Sequence, residues 1–185
     1  MRRVVAVLVV LLLAACGPGL TPAAPEGDSD GETDRTVAIY SAIVRRLSTV
    51  DHTFAKKGTP FRVIFIVDHP IEGAGAPMSG MARGSRRAAF TEEIKQGIEA
   101  NLGDLPPIHF VAGRDEVMDP RSNFPRVRDG GAVVTLAPIP DGENAVKVGA
   151  GLYFSALGGV WLTYVVERSG ERWKIKRSTG PISIS

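Results

Sequence analysis

The apolar positions of this chain change period several times, and each change marks an element. The first pattern is an unbroken apolar run of twelve residues, Val4 to Ala15, behind Arg2 and Arg3 and before Cys16. About 20 apolar residues are needed to cross a bilayer core, so this run predicts a processed export leader rather than a span. Helical spacing appears next. Val37, Tyr40, Val44 and Leu47 recur at intervals of three and four with Ile39 and Ile43 beside them, Thr33 or Asp34 is placed to cap the start, and Arg45 and Arg46 fall in the last turn. A Lys56-Lys57-Gly58-Thr59-Pro60 turn leads to Phe61–Val67, which is apolar at nearly every position and predicts a strand covered on both faces in the middle of a sheet.

The pattern returns to helical over Phe90 to Gly103, where Thr91 caps, Glu92 and Glu93 occupy the first turn, Ile94, Ile98 and Leu102 share a face, and Gly103 ends the run. Ile108 to Ala112 predicts a short strand, and Gly113 to Gly131, broken by Pro120 and Pro125, predicts an irregular loop. The last third alternates with period two. Ala132–Ala137, Ala145–Phe154, Val160–Arg168 and Arg172–Ser178 predict four strands separated by Asp141-Gly142, Gly158-Gly159 and Ser169-Gly170, with Val146, Val148, Ala150, Leu152, Phe154, Trp173 and Ile175 on the buried face. The fold class is therefore α+β: two helices and an early buried strand, followed by a C-terminal antiparallel β-meander.

Composition divides the chain into three parts. Residues 1–15 are the leader. Residues 16–36 are rich in Pro, Gly and acid, with Glu26, Asp28, Asp30, Glu32 and Asp34 and no aromatic, and predict a disordered tether. Residues 37–185 form one domain, long enough for a real core. The full chain carries a formal charge of +2, which two leader arginines account for, leaving 20 basic and 20 acidic residues after residue 15. The domain itself has 19 basic and 15 acidic residues, scattered, which argues against nucleic acid as a partner. Cys16 is the single cysteine, so an internal disulfide is excluded and the thiol is free for modification.

Leu13-Ala14-Ala15-Cys16, directly after the charged and apolar leader, resembles the lipobox of bacterial lipoproteins. The resemblance implies diacylglyceryl transfer to Cys16, cleavage before it, acylation of the kind palmitate supplies, and an extracytoplasmic protein held to a membrane. Two acyl chains make that attachment durable where one does not. A second resemblance covers only the end of the chain. Tyr164 to Val166, Gly170 and Trp173-Lys174-Ile175 are similar to the closing hairpin of nuclear-transport-factor-like and polyketide-cyclase-like cones, although those begin with consecutive helices and this chain puts a buried strand before its second helix.

Chemistry-bearing patterns are sparse. Asp68 and His69, with Glu72 nearby, end the buried strand and open a Gly-rich loop to Arg87, a place where a general base and its orienting carboxylate are often held. Adjacent strand residues face opposite ways, so the two meet one substrate only if the strand has ended; the competing expectation is a hydrogen-bonded cap before Pro70. His52, expected at the surface, and His109, expected on one strand face, are too far apart in sequence from His69 to suggest a metal site, and no cofactor motif is present. The arginines and glycines of Glu72 to Arg87 invite a phosphate reading, but without a Gly-Lys-Ser/Thr or Gly-x-Gly-x-x-Gly pattern the expectation is a surface loop. Tyr153, Trp161 and Tyr164 are either sheet-face platforms for a sugar or apolar ligand, or core. The expected function is a membrane-anchored, non-enzymatic envelope domain that binds a partner protein or a small ligand. The alternative is a small hydrolase or isomerase using Asp68 and His69 in a cone-like pocket.

Overall fold

The periodic apolar face of residues 37–47 does form a helix, but it starts sooner than its apolar residues do. In the computed structural model, which describes residues 29–54, 58–77 and 88–184, helix α1 is Ser29–Thr49. Residues 29–36, expected in the tether, are its first two turns. Acidic residues are favourable at a helix start, where the dipole is positive, and Arg35 fastens these turns: its Nη1 bonds Glu32 at 2.9 Å and its Nη2 bonds the carbonyl of Pro140 at 2.9 Å. The leader, Cys16, the remainder of the tether, Lys56, Lys57 and residues 78–87 lie outside the described residues.

Strand β1 (Ile64–Val67) is buried at all four positions. Helix α2 (Glu92–Asn101) starts where the sequence places it, with the Thr91 side chain accepting from the Ile94 amide. Its end differs. Gly103 does not adopt a left-handed conformation; Leu102 closes the helix, its amide donating to the carbonyls of Ile98 and Glu99, and its side chain anchors the turn in the core. Strands β2 (Ile108–Val111), β3 (Ala132–Leu136), β4 (Ala145–Ser155), β5 (Gly158–Ser169) and β6 (Arg172–Ile184) follow. Between β2 and β3 the chain makes short helical turns at Arg114–Val117 and Arg128–Gly130 and two isolated antiparallel bridges, Met118 with Val127 and Arg126 with Ser155.

The six strands form one sheet in the order β2-β1-β3-β4-β5-β6. β1 is parallel to both β2 and β3, and β3 to β6 form the antiparallel meander. One face carries the main core: Ile64, Ile66, Val134, Leu152 and Tyr164 pack against Ile39, Ile43 and Leu47 of α1 and Ile98 of α2. The other face carries a smaller cluster, Val63, Phe65, Val67 and Val133, roofed by Val117 and Val127 from the segment between β2 and β3. Coverage on both faces explains the continuous apolar run at β1.

The glycine pair expected to turn between β4 and β5 does something else. The turn is at Ala156 and Leu157, and Gly158 and Gly159 already belong to β5, paired with Ser155 and Tyr153. A Cβ at Gly158 would lie 2.0 Å from the Phe154 ring, and one at Gly159 would lie 2.4 Å from the Trp161 indole. These glycines admit aromatic rings against the sheet. Gly170, by contrast, turns the β5–β6 hairpin with φ 64°.

Candidate functional site

Asp68 and His69 sit just past the carboxyl end of β1, between two strands parallel to it. Backbone bonds pin the bend there: the Asp68 amide donates to Val111 at 2.9 Å, its carbonyl accepts from Phe90 at 2.6 Å, and the Ile71 amide donates to Leu136 at 2.8 Å. Because the strand has ended, the adjacent side chains meet. His69 Nδ1 is 3.0 Å from Asp68 Oδ1, and each side chain is 22% exposed. A proton on Nδ1 donated to Asp68 leaves Nε2 as the lone-pair atom, the arrangement a general base uses. In parallel sheets ligands bind outside the carboxyl ends of the strands. Neither residue lines a described cleft, although their neighbours Pro70 and Phe90 border one of about 280 Å³. Glu72 borders a different, larger cleft.

Two larger open clefts flank the start of β4. The first, about 660 Å³, lies between the first turns of α1, residues 141–144 and Trp173. The Arg35 guanidinium sits 5.6 Å from the centre of the Trp173 ring, and Glu32, Asp34, Asp141, Glu143 and Glu171 outnumber Arg35 and Arg168 along its walls. The second, about 730 Å³, lies on the opposite sheet face, where residues 72–76 cross β4. That crossing is backbone on backbone: a Cβ at Gly149 would stand 2.8 Å from the Gly75 nitrogen, and one at Gly75 would stand 2.8 Å from the Leu162 carbonyl.

The three aromatics considered as ligand platforms are committed elsewhere. Tyr164 is fully buried on the helix-covered face, and its hydroxyl donates to Asp51 Oδ2 at 2.9 Å. Asp51 also accepts from Arg46 Nε at 2.9 Å, so the three residues clasp the end of α1 to β5. Burial, and next the Asp51 carboxylate, push the Tyr164 phenol well above its ordinary pKa. Trp161 is 8% exposed on the other face, lying over Gly151 and Gly159. Tyr153 donates to the Pro125 carbonyl at 3.2 Å, with the Arg114 guanidinium 4.9 Å from its ring centre.

Trp173, half buried, borders the 660 Å³ cleft together with Arg35. Sequence reasoning missed this pair because Trp173 reads as an ordinary inward position and Arg35 as part of a tether; the Glu32–Arg35 spacing of three is the signal that a helix had already begun.

The histidines stand apart. His52 is 7% exposed, not at the surface: Nε2 bonds the Gly58 carbonyl at 2.7 Å, Nδ1 accepts from the Phe54 amide, and the ring packs edge-on to Phe54 and Phe61. A polar ring with both nitrogens satisfied can be buried at little cost. His109 is exposed on its strand face, 6.1 Å from the Phe65 ring centre. Among the described residues no group of three or more His, Cys, Asp or Glu is placed to hold a metal ion. No family model, curated protein or solved structure matches the chain.

Proposed function

We propose that this chain is a lipid-anchored domain of a bacterial cell envelope that binds a partner protein or a small ligand without transforming it. The observation that carries the reading is Leu13-Ala14-Ala15-Cys16 at the end of a twelve-residue apolar run behind two arginines. Among the described residues no helix is long and apolar enough to cross a membrane; an acylated Cys16 supplies attachment without one. For the binding role, the cleft beside Trp173 offers an aromatic wall with polar groups around it, the mixture by which small polar ligands such as sugars are oriented.

Growth of cells expressing the chain with an alkyne palmitate tests the anchor. Label on the wild type that disappears in Cys16→Ser is expected, and label persisting in Cys16→Ser contradicts it. Quenching of tryptophan fluorescence by a sugar panel, lost in Trp173→Phe, tests the cleft.

The second reading, a hydrolase or isomerase, is favoured by one specific observation, the 3.0 Å contact between His69 and Asp68 at the strand end. It predicts turnover of an activated ester by the purified domain. His69→Gln abolishes that turnover in this reading; identical rates in wild type and His69→Gln remove it.

A further inference from the structure

Exposed large apolar side chains are concentrated at one end of this sheet. Of the four found among the described residues, Leu157 (87% exposed) forms the β4–β5 turn, Phe124 (74%) projects from the neighbouring loop, and Phe54 (43%) stacks on Phe154, their ring centres 4.9 Å apart. The three belong to one surface. The Ala156 amide donates to Pro125 at 2.7 Å and the Val127 amide to Phe154 at 2.8 Å, which holds the loop of Phe124 against the turn of Leu157. The fourth, Val50, directly follows α1 and precedes Phe54 by four residues.

The named charges around this tip leave a small basic excess. Arg121 and Arg126 pair with Asp119, Arg128 pairs with Asp129, and Arg62 lies beside Gly130, four basic side chains to two acidic ones. The opposite end of β4, where α1 begins, carries the acid-rich walls of the Trp173 cleft. β4 therefore runs from an acid-rich cleft to an apolar tip with a small basic excess.

We propose that the Leu157–Phe124–Phe54 end docks on an anionic lipid surface. Exposed apolar side chains beside a small excess of arginine match a bilayer interface, where apolar groups enter between headgroups and basic side chains stay with the phosphates. In this orientation the acid-rich cleft lies at the far end of β4, away from the headgroups. Reach permits it. Eleven residues of β4 span about 34 Å at 3.4 Å per residue, and the thirteen Cα steps from Cys16 to Ser29 extend to at most about 47 Å. An acylated Cys16 in the same bilayer can thus accompany a docked tip. The inference rests on the anchored reading only for the nearness of the membrane; the contact itself is made by the domain.

The test uses the full mature chain carrying Phe124→Trp, with the parent chain as control because Trp161 is buried and Trp173 lies toward the acidic end. The chain is added to phosphatidylcholine vesicles with or without phosphatidylglycerol and with brominated acyl chains. The expected result is a blue shift and bromine quenching of the introduced indole in anionic vesicles alone, reduced about tenfold by Leu157→Glu. The second substitution sits at an exposed turn and so leaves the fold intact. An introduced indole untouched by bromine, in a chain whose mass shows lipid on Cys16, would overturn the docked tip while keeping the anchor. Quenching in Cys16→Ser, in a protein found unacylated in cells, would keep the tip and remove the anchor. A blue shift that needs protein concentration and no vesicles, abolished by Leu157→Glu, would make a second copy the occupant and overturn the proposal.

Discussion

Replacing Tyr164 with phenylalanine removes one oxygen from a buried polar contact of the core and leaves the ring in place. The hydroxyl donates to the Asp51 carboxylate at 2.9 Å, and a hydrogen bond to a charged group contributes about 1.5–3 kcal/mol. Asp51 keeps Arg46 at 2.9 Å and is 20% exposed, so its carboxylate stays solvated in the variant and the loss falls at the lower end, about 1.5 kcal/mol. For a chain of this size that is a fall in Tm of about 3–6 °C. The same contact has a signature in pH. Burial and the Asp51 carboxylate raise the folded pKa of the phenol, so its contribution is fully present below about pH 10, the unfolded value, and is lost as pH rises above it, by about 1.4 kcal/mol per unit. Urea unfolding of both proteins from pH 7 to 11 therefore shows wild type above Tyr164→Phe by about 1.5 kcal/mol at neutrality, with the gap closing beyond about pH 10. A difference below about 0.5 kcal/mol at pH 7, or a gap that stays constant at alkaline pH, would refute the clasp between α1 and β5.

Gly149→Ala forces a methyl against the Gly75 backbone, 2.8 Å from its nitrogen, and costs about 1–3 kcal/mol in urea unfolding; a neutral result would mean that residues 71–77 do not lie on β4. Gly31→Ala is the converse: nothing stands within 4 Å of the added Cβ in a helix, so stability rises by up to about 1 kcal/mol, and no gain would contradict a helix at residues 29–36. Asp119 is held below the usual carboxylate range by the Arg121 amide and then by Arg126. The loop it fastens is thus secured at neutral pH and released only as pH falls through that lowered value. The Arg121 amide resonance reports this with a midpoint below that of an unperturbed aspartate, absent in Asp119→Asn; a midpoint at or above the unperturbed one refutes it.

Local periodicity made much of the fold legible in the chain. Thr91 before Glu92 and Glu93 marked the start of α2, and the alternation from Val146 to Phe154 assigned the buried face of β4, because caps and pleats are decided by neighbours in sequence. What stayed hidden was decided by distant partners. Arg35 turns an acidic stretch into helix by reaching carbonyls more than a hundred residues away. Gly158 and Gly159 carry the composition of a turn, yet their purpose is to receive Phe154 and Trp161. His52 is buried because Gly58 and Phe54 satisfy it, which no spacing announces. The junction of Asp68 and His69 was visible as a place, but their mutual contact depended on the strand stopping at Val67. The Trp173 cleft was not visible at all, since its two sides lie at opposite ends of the domain sequence.

The mass of the N-terminal peptide of the mature protein, isolated from cells that process lipoproteins, bears most directly on the proposed role. A chain beginning at Cys16 and carrying a diacylglyceryl group on its sulfur is the expected result. A chain that begins at any other residue, or a Cys16 with a free thiol, would contradict it.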